Sequence, residues 1–351
     1  MLAKQSINFY RSTNFLTKFV PVKVAVVILN WNGKGLLEKF LPAVVEFSKE
    51  ATVYVADNAS RDDSVSFISK SFPSVKIIQN KVNGGYAKGY NDALKSLSET
   101  IFVLLNSDVE VTENWLQPVL SEFSKDNSVV AAQPKILDFK NKEYFEYAGA
   151  AGGFVDKYGY PYCRGRIFNT LEKDTGQYNG ITEIFWASGA CLFVKSEAFW
   201  SAGGLDEDYF AHQEEIDLCW RMKSKGGKIL YIGNSEIYHV GGATLDSLNP
   251  KKTFYNFRNS LLNLLKNVGG VKAFSAIFMR MVLDGVAAVQ FLFQGKPKHF
   301  AAIGKAHLSF YSLMPKFNRK RKKNATTLRY FAIKSIVYQY FIRNKRFFSD
   351  L

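Results

Sequence analysis

Cysteine and histidine are scarce: 351 residues contain three of the first and four of the second. Cys163, Cys191 and Cys219 are far apart and odd in number, with no CxxC spacing and no histidine-rich neighbour. That argues against a disulfide framework and against a zinc site, and it fits a reducing compartment. Acids are almost missing from one region. Residues 251–351 hold 20 lysines and arginines against two acids, Asp284 and Asp350, a net charge of +18 that leaves −3 for residues 1–250. No GxGxxG follows the first strand-like run, which argues against a dinucleotide-dependent dehydrogenase. The opening MLAKQSINFYRSTNF lacks a continuous apolar core behind its charges, so it is not expected to be a secretory signal. No internal repeat and no extended low-complexity segment is present apart from RKRKK at 319–323.

What is present suffices for a sizeable core, since 47% of the residues are hydrophobic. VKVAVVIL (22–29) is a near-continuous β-branched run, as expected for a strand buried on both faces. Strand-like runs at 51–57, 75–79, 101–105 and 128–137 alternate with helical patterns at 35–50, 62–72, 86–99 and 113–125. Pro42 is expected to kink or shorten the first of these helices. The alternation predicts an α/β layer with a mainly parallel sheet flanked by helices. Residues 138–182, rich in Gly, Tyr and polar residues, break the rhythm and read as short strands and loops. Strand character returns over 181–195 and 228–232, helices are expected at 195–203 and 214–225, and everything from 251 onward reads as helical.

In such a sheet, ligands sit beyond the carboxyl ends of the parallel strands. Those ends are Asn30-Trp31-Asn32-Gly33, Asp57-Asn58-Ala59-Ser60, Asn83-Gly84-Gly85 and Asn106-Ser107-Asp108. Four polar termini converge on one edge. Each has a plain alternative: Asp57 or Ser60 as a helix cap, Asn83-Gly84-Gly85 as a tight turn. The functional alternative for the glycines is close approach of backbone N–H groups to a ligand before a helix. Asp108 is the sharper signal. A strand-end carboxylate suits Mg²⁺ or Mn²⁺ held against a diphosphate, the alternative being a turn former. GGLDEDYFAHQEEIDLCWRM (203–222) packs Asp206, Glu207, Asp208, Glu214, Glu215 and Asp217 into twelve residues. Helix-dipole favour and an Asp217–Arg221 pair explain part of that cluster. A partly buried carboxylate beside Tyr209 and Phe210 suits a general base. His239 ends a strand-like stretch, either as a metal ligand or as an ordinary histidine.

The order and spacing of VVILNWNG, VADNASRDDS, NKVNGGYAKGYNDAL, VLLNSDVEV, WASGACLFVK, GGLDEDYFAHQEEIDLCWR and YHVGGAT resemble family-2 glycosyltransferases of the GT-A fold, in particular the rhamnosyltransferase-like branch, over roughly residues 22–268. The resemblance implies that Leu29, Asn30, Asp57, Asn83, Gly84, Gly85, Asn91, Asn106, Ser107 and Asp108 line the nucleotide-sugar donor, with Asp57 on a pyrimidine base. Asn106 replaces the first acid of the family's DXD motif, while Asp108 keeps the metal role and His239 completes it. Glu214 and Glu215 match an acidic pair, often Glu-Asp, whose second member is the base. Trp186, Ser188 and Gly189 match the acceptor side. Arg258 and Asn259 match a recurrent pair without an assigned role. The implied activity is inverting, metal-dependent transfer from a UDP- or dTDP-sugar to a glycan or lipid-linked acceptor in cell-surface polysaccharide synthesis. The expected layout is a basic arm at 1–20, a catalytic domain at 21–250 (donor half 21–137, acceptor half 138–250) and a basic helical extension at 251–351.

VKAFSAIFMRMVLDGVAAVQFLF (271–293) is long enough to span a membrane, yet Arg280 and Asp284 sit mid-segment, where charge is costly in hydrocarbon. A buried or interfacial helix is expected instead. Amphipathic, basic and aromatic character together point to peripheral attachment at the inner face of the cytoplasmic membrane, the alternatives being a solvated extension or a dimer contact. No nucleic-acid-binding fold accompanies RKRKK. Two other functions compete. A non-catalytic nucleotide-sugar-binding scaffold is favoured only by Asn106 and the Glu-Glu pair. A nucleotidyltransferase would need a Gly-rich, Arg/Lys-bearing loop where LNWNGKG supplies Lys34 alone.

Overall fold

The structure is a computed structural model describing residues 22–241, 249–324 and 328–351, without the side chains of 322–324. The expected arm at 1–20, the end of the YHVGGAT stretch and the Lys322 and Lys323 side chains of RKRKK lie outside the described parts. The first half alternates as the apolar runs dictate: β1 (Val24–Asn30), α1 (Lys34–Phe47), β2 (Thr52–Asp57), α2 (Ser64–Ser71), β3 (Lys76–Gln79), α3 (Gly85–Leu94) and β4 (Ile101–Asn106). β1 pairs in parallel with β2 and β4, and β2 with β3. Pro42 remains inside a continuous α1 rather than ending it. It lies on the exposed side of that helix, where the carbonyl it leaves unpaired meets water.

The second half adds β5 (Val109–Val111), α4 (Gln117–Lys125) and β6 (Val129–Asp138). Four short strands follow, β7 (Gly153–Val155), β8 (Pro161–Cys163), β9 (Arg166–Ile167) and β10 (Thr170–Leu171), and make a separate antiparallel sheet. β11 (Ile181–Glu183), β12 (Cys191–Lys195), α5 (Ser196–Ser201), α6 (Glu214–Ser224) and β13 (Lys228–His239) complete the body. The main sheet runs β11-β13-β6-β12-β4-β1-β2-β3, with β5 on the far end of β13. It is mixed because β12 enters antiparallel between β4 and β6. β13 is longer than the expected 228–232. A bulge between Ile232 and Glu236 carries it on to His239.

Side chains alternate across this sheet with period two. Val24, Val26, Ile28, Val103, Leu105 and Phe193 face α1, α2 and α4. Ala25, Val27, Phe102, Leu104, Leu192 and Val194 face the opposite core, shared with α3, α6 and the C-terminal helices. Each fully buried Val, Leu, Ile or Phe among them contributes about 1.5–3 kcal/mol.

Three helices follow, α7 (Pro250–Asn267), α8 (Lys272–Phe293) and α9 (Pro297–Asn324). Helix does not continue to the end as the pattern suggested. Residues 328–351 form a π-helical turn at 338–342 and a 3₁₀ turn at 348–350. Ile336 and Tyr340 there pack on Tyr162 and Ile167 of the small sheet. The buried Asp156 carboxylate accepts from the backbone N–H groups of Tyr158, Tyr160 and Ile336, tying both ends of that contact. Arg280 and Asp284 in α8 are buried and paired at 2.6 Å. Tyr160 donates to Asp284 at 2.9 Å and its ring lies 3.8 Å beneath the Arg280 guanidinium. The two charges that argued against a membrane span are therefore internal protein contacts.

Candidate active site

Asp108 and His239 are 131 positions apart in the chain, and strand register brings them together. β4 ends at Asn106, the chain turns through Ser107 and Asp108, and β5 returns antiparallel along β13 with Val109 opposite His239. His239 Nε2 lies 3.2 Å from Asp108 Oδ1 and 3.4 Å from Asn106 Nδ2. On the other side of the ring, Nδ1 lies 3.4 Å from Glu146 Oε1. All three ionisable groups are buried. Burial alone lowers the imidazole, but the Glu146 and Asp108 carboxylates outweigh it and raise His239 to about 10.

A carboxylate oxygen and an imidazole nitrogen facing each other at 3.2 Å would suit two ligands of one small hard cation, whose binding would displace the imidazole proton. Glu146 sets its carboxylate beside the far nitrogen without a well-formed hydrogen bond, a position from which a carboxylate can orient a ligating imidazole. Among the described residues, no group of three or more His, Cys, Asp or Glu side chains forms a closed metal cage. A two-ligand corner fits Mg²⁺ or Mn²⁺, which take their remaining ligands from substrate phosphates and water. Sequence reasoning missed Glu146. It lies in the irregular stretch before AGAAGG, where no periodicity says which side chains turn inward.

The other strand ends form a continuous polar rim. Asn30 and Asp57 are in register across β1 and β2, and Asn30 Nδ2 donates to Asp57 Oδ1 at 3.3 Å. Asp57 Oδ2 accepts from Ser60 N at 3.1 Å. Neither Asp57 nor Ser60 caps α2, which starts at Ser64. Among the described residues Asn30 Oδ1 is buried without a partner, an acceptor open at this edge. Leu29, half-buried, packs beside Gly89, and a Cβ at Gly89 would come within 2.9 Å of it. Asn83 Oδ1 accepts from Asn58 Nδ2 at 3.0 Å and Gly85 N at 2.9 Å, which shapes the turn that starts α3. Gly84 precedes that helix as its N-terminal boundary residue. Gly85 has φ +74°, and a Cβ there would meet Phe210 O at 2.8 Å, so glycine is required.

Not every expected residue turns to this rim. The Asn91 amide is committed to Leu205, donating to its carbonyl at 2.8 Å and accepting from its N–H at 2.9 Å. It ties α3 to the turn before α6. Trp186 is buried over Gly153 and donates to Phe154 O at 2.9 Å. The buried Ser188 hydroxyl bonds Ala148 O at 2.5 Å. Gly189 O accepts from Tyr86 OH at 2.7 Å, linking β12's approach to α3.

The acidic stretch separates into two sets. Asp217 pairs with Arg221 at 2.7 Å and Lys266 at 2.8 Å, and these cations overcome burial to hold its carboxyl low. Asp206 pairs with Lys266 at 2.6 Å and with Lys320; Asp208 pairs with Lys316 and Lys320. Those acids anchor the C-terminal helices. Among the described residues, Glu214 and Glu215 have no such cation partner. Burial, together with the charge of Glu215, raises the Glu214 carboxyl well above the usual range, and one Glu214 oxygen lacks a hydrogen bond. Glu215 keeps some solvent contact, yet burial raises it to about 7. The Tyr86 phenol feels both glutamates, and the Cys163 thiol feels both Glu146 and Glu215.

The turn that presents the pair is strained. Phe210, His212 and Gln213 have φ of 66°, 67° and 69°. Non-glycine residues in such conformations cost about 1–3 kcal/mol each and persist only when held. α7 holds them. Asn259 Nδ2 donates to the carbonyls of Ala211 at 2.9 Å and His212 at 2.7 Å, and Arg258 donates to Tyr209 O at 3.0 Å. Gln213 Nε2 donates to Ser260 Oγ at 2.6 Å. This is a structural role for the Arg258–Asn259 pair. Arg258→Ala is expected to lower kcat about 10²-fold with donor KM little changed, because a misplaced reacting group costs that much. Arg258→Lys should not rescue it, lacking the forked donors. Steady-state kinetics on variants with unaltered near-ultraviolet circular dichroism checks this.

Comparison with known proteins adds independent findings. The model for Glycosyl transferase family 2 matches residues 25–200. The matched stretch stops short of Glu214, Glu215 and His239. An N-acetylglucosaminyl-diphospho-decaprenol L-rhamnosyltransferase of Mycobacterium tuberculosis is 25% identical over 230 residues, 61% of this chain and 75% of that protein. A low-salt glycan biosynthesis hexosyltransferase of Haloferax volcanii is 19% identical over 290 residues, 79% of this chain and 87% of that one. Among solved structures, S. aureus TarS residues 1–349 with UDP-GlcNAc superposes with TM-score 0.54 at 13% identity, covering 86% of this chain and 88% of that one. GalNAc-T7 with UDP, GalNAc and Mn²⁺ superposes with TM-score 0.51 at 20% identity over 62% of this chain and only 43% of that chain. At these identities the structural likeness establishes the fold, which is GT-A.

Proposed function

The chain belongs to glycosyl transferase family 2 and is a glycosyltransferase, and on that premise we propose that it transfers a sugar with inversion from a nucleotide diphosphate donor to a lipid-linked or polysaccharide acceptor of the cell surface. The observation that supports this reading is the Asp108–His239 corner beyond the carboxyl end of β4; that Glu215, whose carboxyl burial raises to about 7, faces the same rim is part of the proposal. The donor lies along Leu29, Asn30, Asp57, Asn83, Gly84, Gly85, Asn106, Ser107 and Asp108. Asn30's free acceptor and the Asp57 carboxylate meet a pyrimidine base. Residues 21–137 form the donor half and 138–250 the acceptor half, with Trp186, Ser188 and Gly189 shaping its floor. The basic helices of 251–351 form an extension at the inner face of the cytoplasmic membrane.

Glu215 accepts the proton of an acceptor hydroxyl. The acceptor oxygen forms its bond to the anomeric carbon as the bond from that carbon to the diphosphate breaks, through an oxocarbenium-like transition state. The electron pair of the broken bond leaves with the nucleotide diphosphate. Mg²⁺ or Mn²⁺, held by Asp108 and His239, would neutralise the charge gathering on the diphosphate. Asn106, beside His239, is placed to hydrogen-bond the ribose or the sugar. The Mn²⁺ and nucleotide named with GalNAc-T7 support a divalent cation, and the Mycobacterium relative's name supports rhamnose as the sugar.

A panel of UDP-, dTDP- and GDP-sugars screened by thermal unfolding with Mn²⁺ tests the donor. The true donor at a hundred times its Kd stabilises the fold by about 2.7 kcal/mol, a rise of several degrees. A GDP-sugar as the only stabiliser would overturn the pyrimidine assignment, and no response to any member would overturn the donor site.

A further inference from the structure

Helix α8 carries a second surface. Its inner face is closed by Ala273, Ala276, Ile277, Arg280, Asp284 and Ala288, packed against α7 and α9. Its outer face presents Phe274, Phe278, Val282, Val286, Val289 and Phe293 to solvent, with exposures from 47% to 88%. Steps of four, four, four, three and four residues put all six on one stripe. The stripe runs nearly the whole 22-residue helix, a length of about 33 Å. Soluble surfaces rarely leave so long an apolar strip uncovered.

The surroundings identify what covers it. The only acid between residues 251 and 349 is Asp284, which is fully buried. Within residues 251–349 the exposed charges are therefore all cations, among them Lys272, Lys296 and Lys298 at the two ends of α8 and Lys305 on α9. An apolar strip with a cationic rim and no carboxylate matches an anionic lipid surface. The helix lies along that surface with its outer residues below the headgroups and its lysines at them. A second copy of this chain is a poor match, because it would set two faces of the same positive sign against each other. A spanning orientation is excluded by the protein packing on the Arg280–Asp284 side. α7 and α9, on which α8 packs, also grip the strained turn and the acids at 206–213. The lipid-facing layer is thus the same layer that supports Glu215.

We infer that α8 is an in-plane membrane anchor, inserting the Phe274–Phe293 stripe into an anionic bilayer. This deepens the reading of a membrane-face glycosyltransferase and rests on it only for what the anchor serves. The test is co-sedimentation of the full chain with equimolar phosphatidylglycerol–phosphatidylcholine vesicles, with pure phosphatidylcholine as control. Wild type should sediment with the anionic vesicles. The Phe278→Ser/Val286→Ser double variant should partition at least tenfold less, with its melting temperature and its stabilisation by sugar nucleotides unchanged. Lys296→Ala/Lys298→Ala should weaken binding less and only at low salt. Failure of wild type to bind anionic vesicles would overturn the inference. So would equal binding by the serine variant, or a wild-type dimer that the serine variant converts to monomer without altering vesicle binding. Sugar-nucleotide stabilisation is read in the same samples, so loss of the anchor is distinguished from loss of the donor site.

Discussion

Glu215→Gln is expected to lower transfer by about 10²–10⁴-fold, the range assigned to a positioned general base, while donor affinity is retained. Glutamine preserves size and neutral hydrogen bonding but accepts no proton. Because burial raises the carboxyl to about 7, ionisation of the base should appear directly in the pH profile. Below pH 7 the group is protonated, so kcat falls about tenfold per unit; above it the rate levels off. The sign for stability is opposite to that of an ordinary paired carboxylate. A folded-state pKa above the unfolded value means that the folded chain binds the proton more tightly. Stability from this group is full below the unfolded pKa and is lost as pH rises towards 7. Glu215→Gln should therefore raise the melting temperature at pH 8 while destroying activity. Burial and the Glu215 charge raise the Glu214 carboxyl well above the usual range and so favour its neutral form; Glu214→Gln, which keeps a neutral side chain, should change the rate little. Turnover of Glu215→Gln close to wild type, or a collapse in Glu214→Gln of equal size, would move the base elsewhere.

The second large effect is at the cation corner. Asp108→Asn should lower kcat about 10²–10³-fold, as does removal of one group that stabilises transition-state charge. It should also abolish the dependence of donor binding on Mn²⁺ measured by titration calorimetry. Chelation of wild type should weaken donor binding in the same way. Glu146→Gln tests the arrangement one contact further out. It leaves Asp108 and His239 in place but removes the charge that orients the imidazole, and should weaken cation affinity about 10–100-fold. A donor affinity that does not respond to chelator would exclude the Asp108–His239 corner as a cation site.

The polar strand ends were legible because a buried parallel strand has to be apolar until it leaves the sheet. Asn30, Asp57 and Asp108 therefore stand out against the runs that precede them. His239 stood out at the end of a strand-like stretch with two readings open, and only the resemblance favoured the metal role. By pattern the strand before it stops at Ile232, because Gly233-Asn234-Ser235 interrupts the run, whereas the structure takes those residues up in a bulge. Glu146 carried no local signal at all, and Asn91 was misleading. An amide at a helix start serves a ligand and a neighbouring backbone equally well, and here Leu205 occupies both of its ends.

Local chemistry along the chain determined the α/β class, the rim to which ligands come, the basic C-terminal third and the choice of residue types suited to a cation and a base. Those follow from hydrophobic periodicity and from side-chain chemistry, both readable within a few positions. Tertiary structure alone decided which acids are paired with cations, since that depends on Lys266, Lys316 and Lys320 arriving from 60 to 114 positions away. It also decided that His239 faces Asp108, that α7 holds the strained turn before Glu214, and that one side of α8 is left open. Each depends on strand register or helix docking between distant segments, where a shift of one residue turns a side chain to the opposite face.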